Sequence, residues 1–327
     1  YLNYYYFGFV IVGQLALALG IQPSIAYNLA LPTLIALAAT GAFSIASNIV
    51  SGGGKAADGT PRRFRPELAG VLAAAAVTLF GNLHPIRMFV MGLAKLGADA
   101  GRGTAAAITA GIGRLAAGDS LPIPSHHWFW NPTRIIPDPD VMPITEVPAF
   151  TFIYGDLHAH LMDLPQVLLA MAFALAVLVG WKEQKHRGRR IAAVCLGALA
   201  VGAMRPTNTW SYYPFLTLGM IAVGWARLQV VDNLPDRVRL FRATMWAVFF
   251  AVLTRVFYLP FDAWFGMGYS QLIYWDRSRT PLLIYLEHWA PFLFPVATWL
   301  VLEVREWMAA TPLASIRPLK RHLGWLL

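Results

Sequence analysis

The chain has 327 residues, of which 57% are hydrophobic and only 13% are charged. A soluble domain usually carries about 25% charged residues, so this composition excludes an ordinary soluble protein and indicates an integral membrane protein. The formal net charge of +9 comes from 26 Lys and Arg residues against 17 Asp and Glu residues. Because the basic residues fall in short segments between apolar runs, the positive-inside rule explains them better than nucleic-acid binding does.

Apolar runs of helical length alternate with polar segments, which predicts an all-α fold: a polytopic bundle of transmembrane helices. A helix needs roughly 20 mainly apolar residues to span a bilayer. The series begins with a short run at 7–21, a longer run at 27–50 and a run at 68–90 that polar residues and a proline interrupt. We interpret residues 1–327 as a single transmembrane domain, part of a longer chain. The later predicted spans are 164–181, 191–204, 215–226, 243–259 and 288–302.

The segments between the first runs differ in character. Residues 51–66 are Gly-rich and basic, but the SGGGK sequence lacks the spacing of a phosphate-binding loop and follows no predicted strand. Residues 92–119 are rich in Ala and Gly, which predicts an amphipathic interfacial helix or a mobile loop. Residues 121–148 are rich in proline, which forbids a regular helix. The only cysteine, Cys195, excludes an intrachain disulfide and is interpreted as a buried apolar residue.

Basic residues are concentrated in segments that the positive-inside rule assigns to the cytoplasmic face. These segments are 51–66, 182–190, 227–242 and the C-terminal tail. Alternation then predicts that the long loop 92–163 and two further polar segments share the external face. Those two segments are 205–214 and 260–287. The same count puts the N-terminal tyrosine run inside, unless the first short run is not a true span.

Charged and metal-competent side chains cluster between Glu146 and Asp163, around the sequence DLHAH. In an extended segment, Asp156, His158 and His160 point to one face, because successive side chains of a strand alternate. One carboxylate and two imidazoles suit a divalent metal, with Glu146 or Asp163 completing the set. We therefore predict that Asp156, His158 and His160 are metal ligands or catalytic acid–base groups, and that Glu146 is catalytic. The alternative is a hydrogen-bonded structural cluster that caps the next helix.

Arginines accompany this cluster on the predicted external face. Arg134 and Arg205 are predicted to bind phosphate, because a guanidinium binds phosphate through two parallel hydrogen bonds. The alternative for each is headgroup contact by a snorkelling side chain. The run of Tyr4, Tyr5 and Tyr6 is typical of an interfacial aromatic belt or of the wall of a polar site.

Several motifs resemble, in order, the YYY-type family of polytopic membrane proteins, which is named for its tyrosine run. The motifs are YLNYYYFG, AYNLAL, FWNPTR, TEVPAFTFIYGDLHAH, RPTNTW and LPF, and they extend over nearly the whole chain. That family is similar in overall plan to the GT-C superfamily of membrane glycosyltransferases, which use polyprenyl-phosphate sugars at the external face. The resemblance implies a GT-C-like helical fold and adds Asn208, Trp210 and the tyrosine run as substrate-binding positions.

The resemblance also has two consequences for the start of the chain. It implies that the catalytic acid of the first external loop lies before Tyr1, and that the tyrosine run is external. We follow this motif order over the charge count, since the first run is short and has no basic flank. The family reads Asn-Glu-Phe-Pro where this chain has Thr-Glu-Val-Pro at 145–148, so only Glu146 and Pro148 match.

The leading hypothesis is a glycosyltransferase-like protein, integral to the plasma membrane, that transfers a sugar from a polyprenyl-phosphate donor at the external face. The expected partners are the lipid bilayer, the lipid-linked sugar and other membrane subunits, with no nucleic acid, and the expected cofactor is a divalent metal. The alternative is a non-catalytic subunit of a membrane complex. A transporter is disfavoured, because the predicted spans after residue 164 carry almost no ionisable residues except Arg255.

Overall fold

The computed structural model describes residues 4–52, 65–98, 103–137, 143–230, 234–266, 274 and 279–311. All regular secondary structure in these ranges is helical, which confirms the predicted all-α class. The helices described are α1 (Phe7–Leu19), α2 (Pro23–Gly52), α3 (Pro66–Thr78), α4 (His84–Leu96), α5 (Thr104–Ala116), α6 (His127–Trp130), α7 (Pro148–Tyr154), α8 (Ala159–Gly180), α9 (Arg187–Thr207), α10 (Thr209–Leu228), α11 (Asp236–Val256), α12 (Leu259–Trp264) and α13 (Leu282–Ala310).

The chain divides into two compact units. Unit 1 comprises Tyr1–Phe80 and Pro148–Trp275, and unit 2 comprises Gly81–Val147 and Asp276–Leu327. One boundary falls between Val147 and Pro148, inside the segment 92–163 that the sequence assigns to one external loop. The single transmembrane domain with that external loop therefore stays a prediction.

Within the described chain, three helices are long and apolar enough to cross a membrane: α2, α8 and α9. The helices α1 and α3 are apolar but shorter. Large apolar side chains project from α8 and α9, as lipid contact requires; examples are Val179 (65% exposed) and Leu196 (67% exposed). Membrane-spanning helices are thus confirmed, whereas spanning by α10, α11 and α13 stays a prediction.

The core of unit 1 lies among α8, α9, α10 and α11. It is built from Val194, Val201, Tyr212, Val223 and Phe250, which are almost fully buried. Small residues of the same cluster, such as Ala170 and Ala198, allow the close approach that association in lipid depends on. A second cluster, centred on Ala38, Ala42, Ile45 and Leu168, joins α2 to α8.

In unit 2, Glu287 fastens α4 to α13. Its Oε1 lies 2.5 Å from Nδ1 of His84, and its Oε2 accepts a hydrogen bond from Nη1 of Arg87 at 2.8 Å. The backbone N–H of Leu83 donates to the Glu287 carbonyl at 2.8 Å. The polar residues that interrupt the third apolar run lie at the start of α4. Pro85 falls in the first turn of this helix, where proline is tolerated.

Two polar segments contain more helix than the sequence indicates. The proline-rich segment 121–148 includes α6 and a 3-10 turn at Asn131–Thr133. The segment 260–287 contains most of α12 and the start of α13. Residues 92–119, predicted as an interfacial helix or a loop, include the end of α4 and all of α5.

Candidate functional site

The DLHAH sequence forms the link between α7 and the spanning helix α8. Gly155 adopts φ +74°, a left-handed conformation that favours glycine, and so turns the chain sharply after α7. His158 is the N-cap residue of α8 with an extended backbone, but it makes no side-chain capping hydrogen bond. Leu157 is buried, whereas Asp156 and His158 on either side of it are half exposed. The link thus buries its apolar residue and exposes its polar ones.

Tyr27 of α2 holds this link in place. Its hydroxyl donates to the carbonyl of Gly155 at 3.1 Å and accepts from the backbone N–H of Leu157 at 3.1 Å. The two bonds flank Asp156, so they fix its backbone on both sides. Each such bond contributes about 1 kcal/mol net.

The structure brings the predicted acid and imidazoles together. Nδ1 of His158 lies 3.1 Å from Oδ2 of Asp156, and the two side chains are 48% and 44% exposed. The rings of His158 and His160 have centroids 4.8 Å apart. His160 lies in the first turn of α8, where its Nε2 is 3.0 Å from the hydroxyl of Thr151. Asp156 and His158 therefore form an accessible pair, and His160 is anchored beside it.

The arrangement of these groups bears on the predicted metal. Among the described residues, no group of three or more His, Cys, Asp or Glu side chains is placed to hold a metal ion. The hydroxyl of Thr151 lies 3.0 Å from Nε2 of His160, so that nitrogen already has a protein partner. The metal site therefore stays a prediction for Asp156, His158 and His160.

Glu146 and Arg134 contact each other within unit 2. Their closest atoms, Nη1 of Arg134 and Oε1 of Glu146, lie 3.3 Å apart. The Arg134 guanidinium also lies 4.9 Å from the ring centroid of Trp130, in cation–π contact. A phosphate at Arg134 would therefore compete with Glu146, and the catalytic role of Glu146 stays a prediction.

Arg205 belongs to an ion-pair cluster in unit 1 with Asp262 and Arg255. Nη1 of Arg205 pairs with Oδ1 of Asp262, and Nη2 of Arg255 lies 2.9 Å from Oδ2 of the same residue. Each carboxylate oxygen of Asp262 thus faces a guanidinium nitrogen of a different arginine. Two guanidiniums against one carboxylate leave one net positive charge. Sequence reasoning missed Asp262; the available signal was Arg255, because an arginine in an apolar run needs a partner.

The predicted tyrosine run lies against α12 and forms what we call the aromatic cluster: Tyr4, Tyr5, Tyr6, Phe261 and Phe265. Ring centroids are 6.4 Å apart for Tyr5 and Phe265, and 5.9 Å apart for Tyr6 and Phe261. The Arg205 guanidinium lies 5.9 Å from the Phe261 ring. The tyrosines therefore adjoin the arginine cluster.

The other two predicted substrate-binding residues lie where α9 meets α10. Asn208 separates the two helices with extended backbone angles, and its Nδ2 lies 3.4 Å from Oδ2 of the buried Asp163. Trp210 is 67% exposed. Asn208 thus faces the protein interior and Trp210 its surface.

Apolar helices of spanning length, with ion pairs at the helix ends, define a polytopic α-helical membrane protein. Residues 1–324 match the family described as Uncharacterized membrane protein (DUF2298), and the chain belongs to this family. Membership confirms the predicted membrane character. No curated protein and no solved structure matches the chain.

Proposed function

We propose that the chain is a glycosyltransferase-like enzyme of the plasma membrane, with a GT-C-like plan related to the YYY-type family. It transfers a sugar from a polyprenyl-phosphate donor to an acceptor at the external face. The observation that supports this proposal is the Asp156–His158 pair. A carboxylate and an imidazole 3.1 Å apart, both half exposed, stand where a spanning helix begins.

The pair is suited to general-base chemistry. Asp156 orients the His158 imidazole and stabilises its protonated form, as in other carboxylate–histidine pairs. The imidazole accepts the proton of an acceptor hydroxyl while the hydroxyl oxygen attacks the anomeric carbon. The bond between that carbon and the phosphate oxygen breaks, and the polyprenyl phosphate leaves with the electron pair.

The leaving phosphate needs a cation. The cluster of Arg205, Asp262 and Arg255 carries one net positive charge, and Arg255 is 48% exposed. Guanidiniums stabilise phosphate oxygens by charge and by paired hydrogen bonds. We assign phosphate binding to this cluster, with Arg134 as the second candidate. Contacts to the donor are assigned to Asn208, Trp210 and the aromatic cluster.

The proposal is tested with the full-length protein in lipid nanodiscs and a panel of polyprenyl-phosphate monosaccharides. Release of polyprenyl phosphate is followed by mass spectrometry. Asp156→Asn and His158→Gln are expected to lower the rate at least about 100-fold, the usual contribution of a general base. The same assay tests the predicted divalent metal. If the metal is needed, a chelator stops release and added Mn²⁺ restores it.

Asp236→Asn is the matched control. Asp236 is 96% exposed and is paired with Arg239 at 3.2 Å, so its loss removes an acid of unit 1 without touching the site. Its rate is expected to equal that of the wild type. Wild-type rates in both site variants, or no release from any donor by the wild type, would contradict the proposal.

The second candidate function is a non-catalytic subunit of a membrane complex. It is favoured by α13, a helix of 29 residues that has no fully buried residue in the described structure and exposes Phe294 (74%) and Leu283 (79%). A helix so exposed needs lipid or another membrane helix around it. Native mass spectrometry after mild extraction distinguishes the two functions. A stable hetero-complex that keeps full host function with Asp156→Asn would support the subunit.

A further inference from the structure

Asp163 is a buried carboxyl group in the spanning helix α8. Its side chain is 1% exposed. Oδ2 lies 3.4 Å from Nδ2 of Asn208, and the Ser211 side chain forms a further hydrogen bond to the carboxyl group. Oδ1 is buried without a hydrogen-bond partner. Both partners are neutral, so neither offsets the charge of a carboxylate.

Gln166 lies three residues later on the same face of α8. Its Nε2 donates to the hydroxyl of Thr207 at 3.2 Å, while its Oε1 is buried without a hydrogen-bond partner. Thr207 is fully buried and donates its own hydroxyl proton to the carbonyl of Ala203 at 2.8 Å. Neighbouring positions of one spanning helix therefore carry two acceptor oxygens that lack donors.

Within the described parts of the chain, no basic side chain pairs with Asp163. Arg205, the basic residue in the last turn of α9, pairs with Asp262 instead. An ionised carboxylate in a low-dielectric interior is strongly destabilised unless a positive charge accompanies it. Ionisable groups inside spanning helices mark ion or proton sites by default.

The oxygens lie at a break between helices. α9 ends at Thr207 and α10 begins at Thr209, with Asn208 extended at φ −157° and ψ 93° between them. Thr209 compensates for the break, because its hydroxyl donates to the carbonyl of Arg205 at 2.7 Å. The junction therefore brings side chains of α8 against the point where two helices meet.

We propose that Asp163, Gln166, Thr207 and Ser211, with the α9–α10 break, bind one monovalent cation of the size of Na⁺. Oxygen ligands are what hard cations prefer, and two of these oxygens have no other partner. The single carboxylate balances one positive charge, whereas a divalent ion would leave a buried charge uncompensated. Asn208 at the break adjoins both this site and the proposed donor contacts, but cation binding does not require glycosyl transfer.

The test is the melting temperature of the full-length protein in detergent, in NaCl, KCl or choline chloride at constant ionic strength. A ligand that binds only the folded state stabilises it with the logarithm of its concentration above the dissociation constant. The melting temperature is expected to rise with the logarithm of the Na⁺ concentration and not to respond to choline. Equal melting temperatures in Na⁺ and choline would overturn the proposal.

Two variants sharpen the outcome. Asp163→Asn is expected to melt at the same temperature in Na⁺ and choline, whereas Asp236→Asn is expected to keep the wild-type response. A Na⁺ response that persists in Asp163→Asn overturns the assignment. So does a wild-type melting temperature that follows pH equally in both salts, since Asp163 then holds a proton. If Asp163→Asn does not fold, the wild-type salt series decides.

Discussion

Asp262 is the carboxylate on which two guanidiniums of unit 1 converge, and its two partners differ in exposure. The Arg205 side chain is 10% exposed, whereas that of Arg255 is 48% exposed. A buried charge depends on its partner far more than an exposed one does, because water replaces a lost partner only at the surface.

This difference predicts unequal costs of substitution. Asp262→Asn leaves the buried Arg205 unpaired and is expected to destabilise the protein by about 3–5 kcal/mol. Arg255→Gln removes the exposed member and is expected to cost less than about 1 kcal/mol. Thermal unfolding of the two variants in one detergent measures both. If the two substitutions cost the same, the Arg255–Asp262 pair accounts for the whole loss and Arg205 does not depend on Asp262.

At the residue scale the sequence predicts short-range pairs and misses long-range ones. The alternation rule brings Asp156 and His158 together, and they pair at 3.1 Å. The same rule does not hold for His160, because α8 starts at Ala159 and turns His160 toward Thr151. Asp262 has partners on two other helices, and no spacing along the chain encodes how those helices pack.

At the scale of elements, Gly202 sets how closely α9 approaches the end of α11. A Cβ there would lie 2.6 Å from the carbonyl oxygen of Thr254 and 2.6 Å from the Tyr258 ring. The hydroxyl of Tyr258 also donates to the carbonyl of Leu199 at 2.9 Å. A backbone carbonyl cannot rotate away as a flexible side chain can.

Gly202→Ala is therefore expected to destabilise the protein by about 1–3 kcal/mol through overpacking. Gly13→Ala is the matched control, because a Cβ at that position of α1 meets nothing within 4 Å. The control is expected to be neutral or to stabilise by up to about 1 kcal/mol, since alanine favours helix. Melting temperatures check both, and a neutral Gly202→Ala would show that the backbone yields.

Apolar run lengths predict α2, α8 and α9 well, because twenty apolar residues in lipid have few alternatives to a helix. The sequence pattern makes Pro85 an interruption of one run, yet it lies in the first turn of α4. A proline in a first turn and a proline in a break look alike in sequence. The short helix α12 has no hydropathy signal of its own.

At the scale of the whole molecule, the charge count predicts that the two ends of α8 lie on opposite faces of the membrane. α8 has 22 residues. At 1.5 Å per residue a helix of this length covers about 33 Å, enough to span the hydrocarbon. Tyr154 and Lys185, both exposed in unit 1, lie beyond its two ends.

Cysteine labelling tests this orientation. In a Cys195→Ala background, Tyr154→Cys is expected to react with an impermeant maleimide in intact cells. Lys185→Cys is expected to react only after the membrane is opened, because positive segments stay cytoplasmic. The Cys195→Ala chain without a new cysteine is the control for background. The reverse pattern would place the Asp156–His158 pair on the cytoplasmic face.

Hydropathy describes a chain in one dimension, so it could not foresee the division into two units. It treats α3 and α4 as one interrupted run, although they belong to different units. It also treats Glu146 and Asp156 as one cluster, although a unit boundary falls between them.

The hydroxyl of Tyr27 holds the backbone on both sides of Asp156, although Tyr27 is far from Asp156 in the sequence. Its two bonding partners, Gly155 and Leu157, are 128 and 130 positions distant. A phenylalanine at position 27 would keep the ring and lose both bonds, which would leave Gly155 to act as a hinge. How well the link between α7 and α8 tolerates substitution therefore depends partly on position 27 of α2. Substitutions at position 27 and in the link are expected to covary.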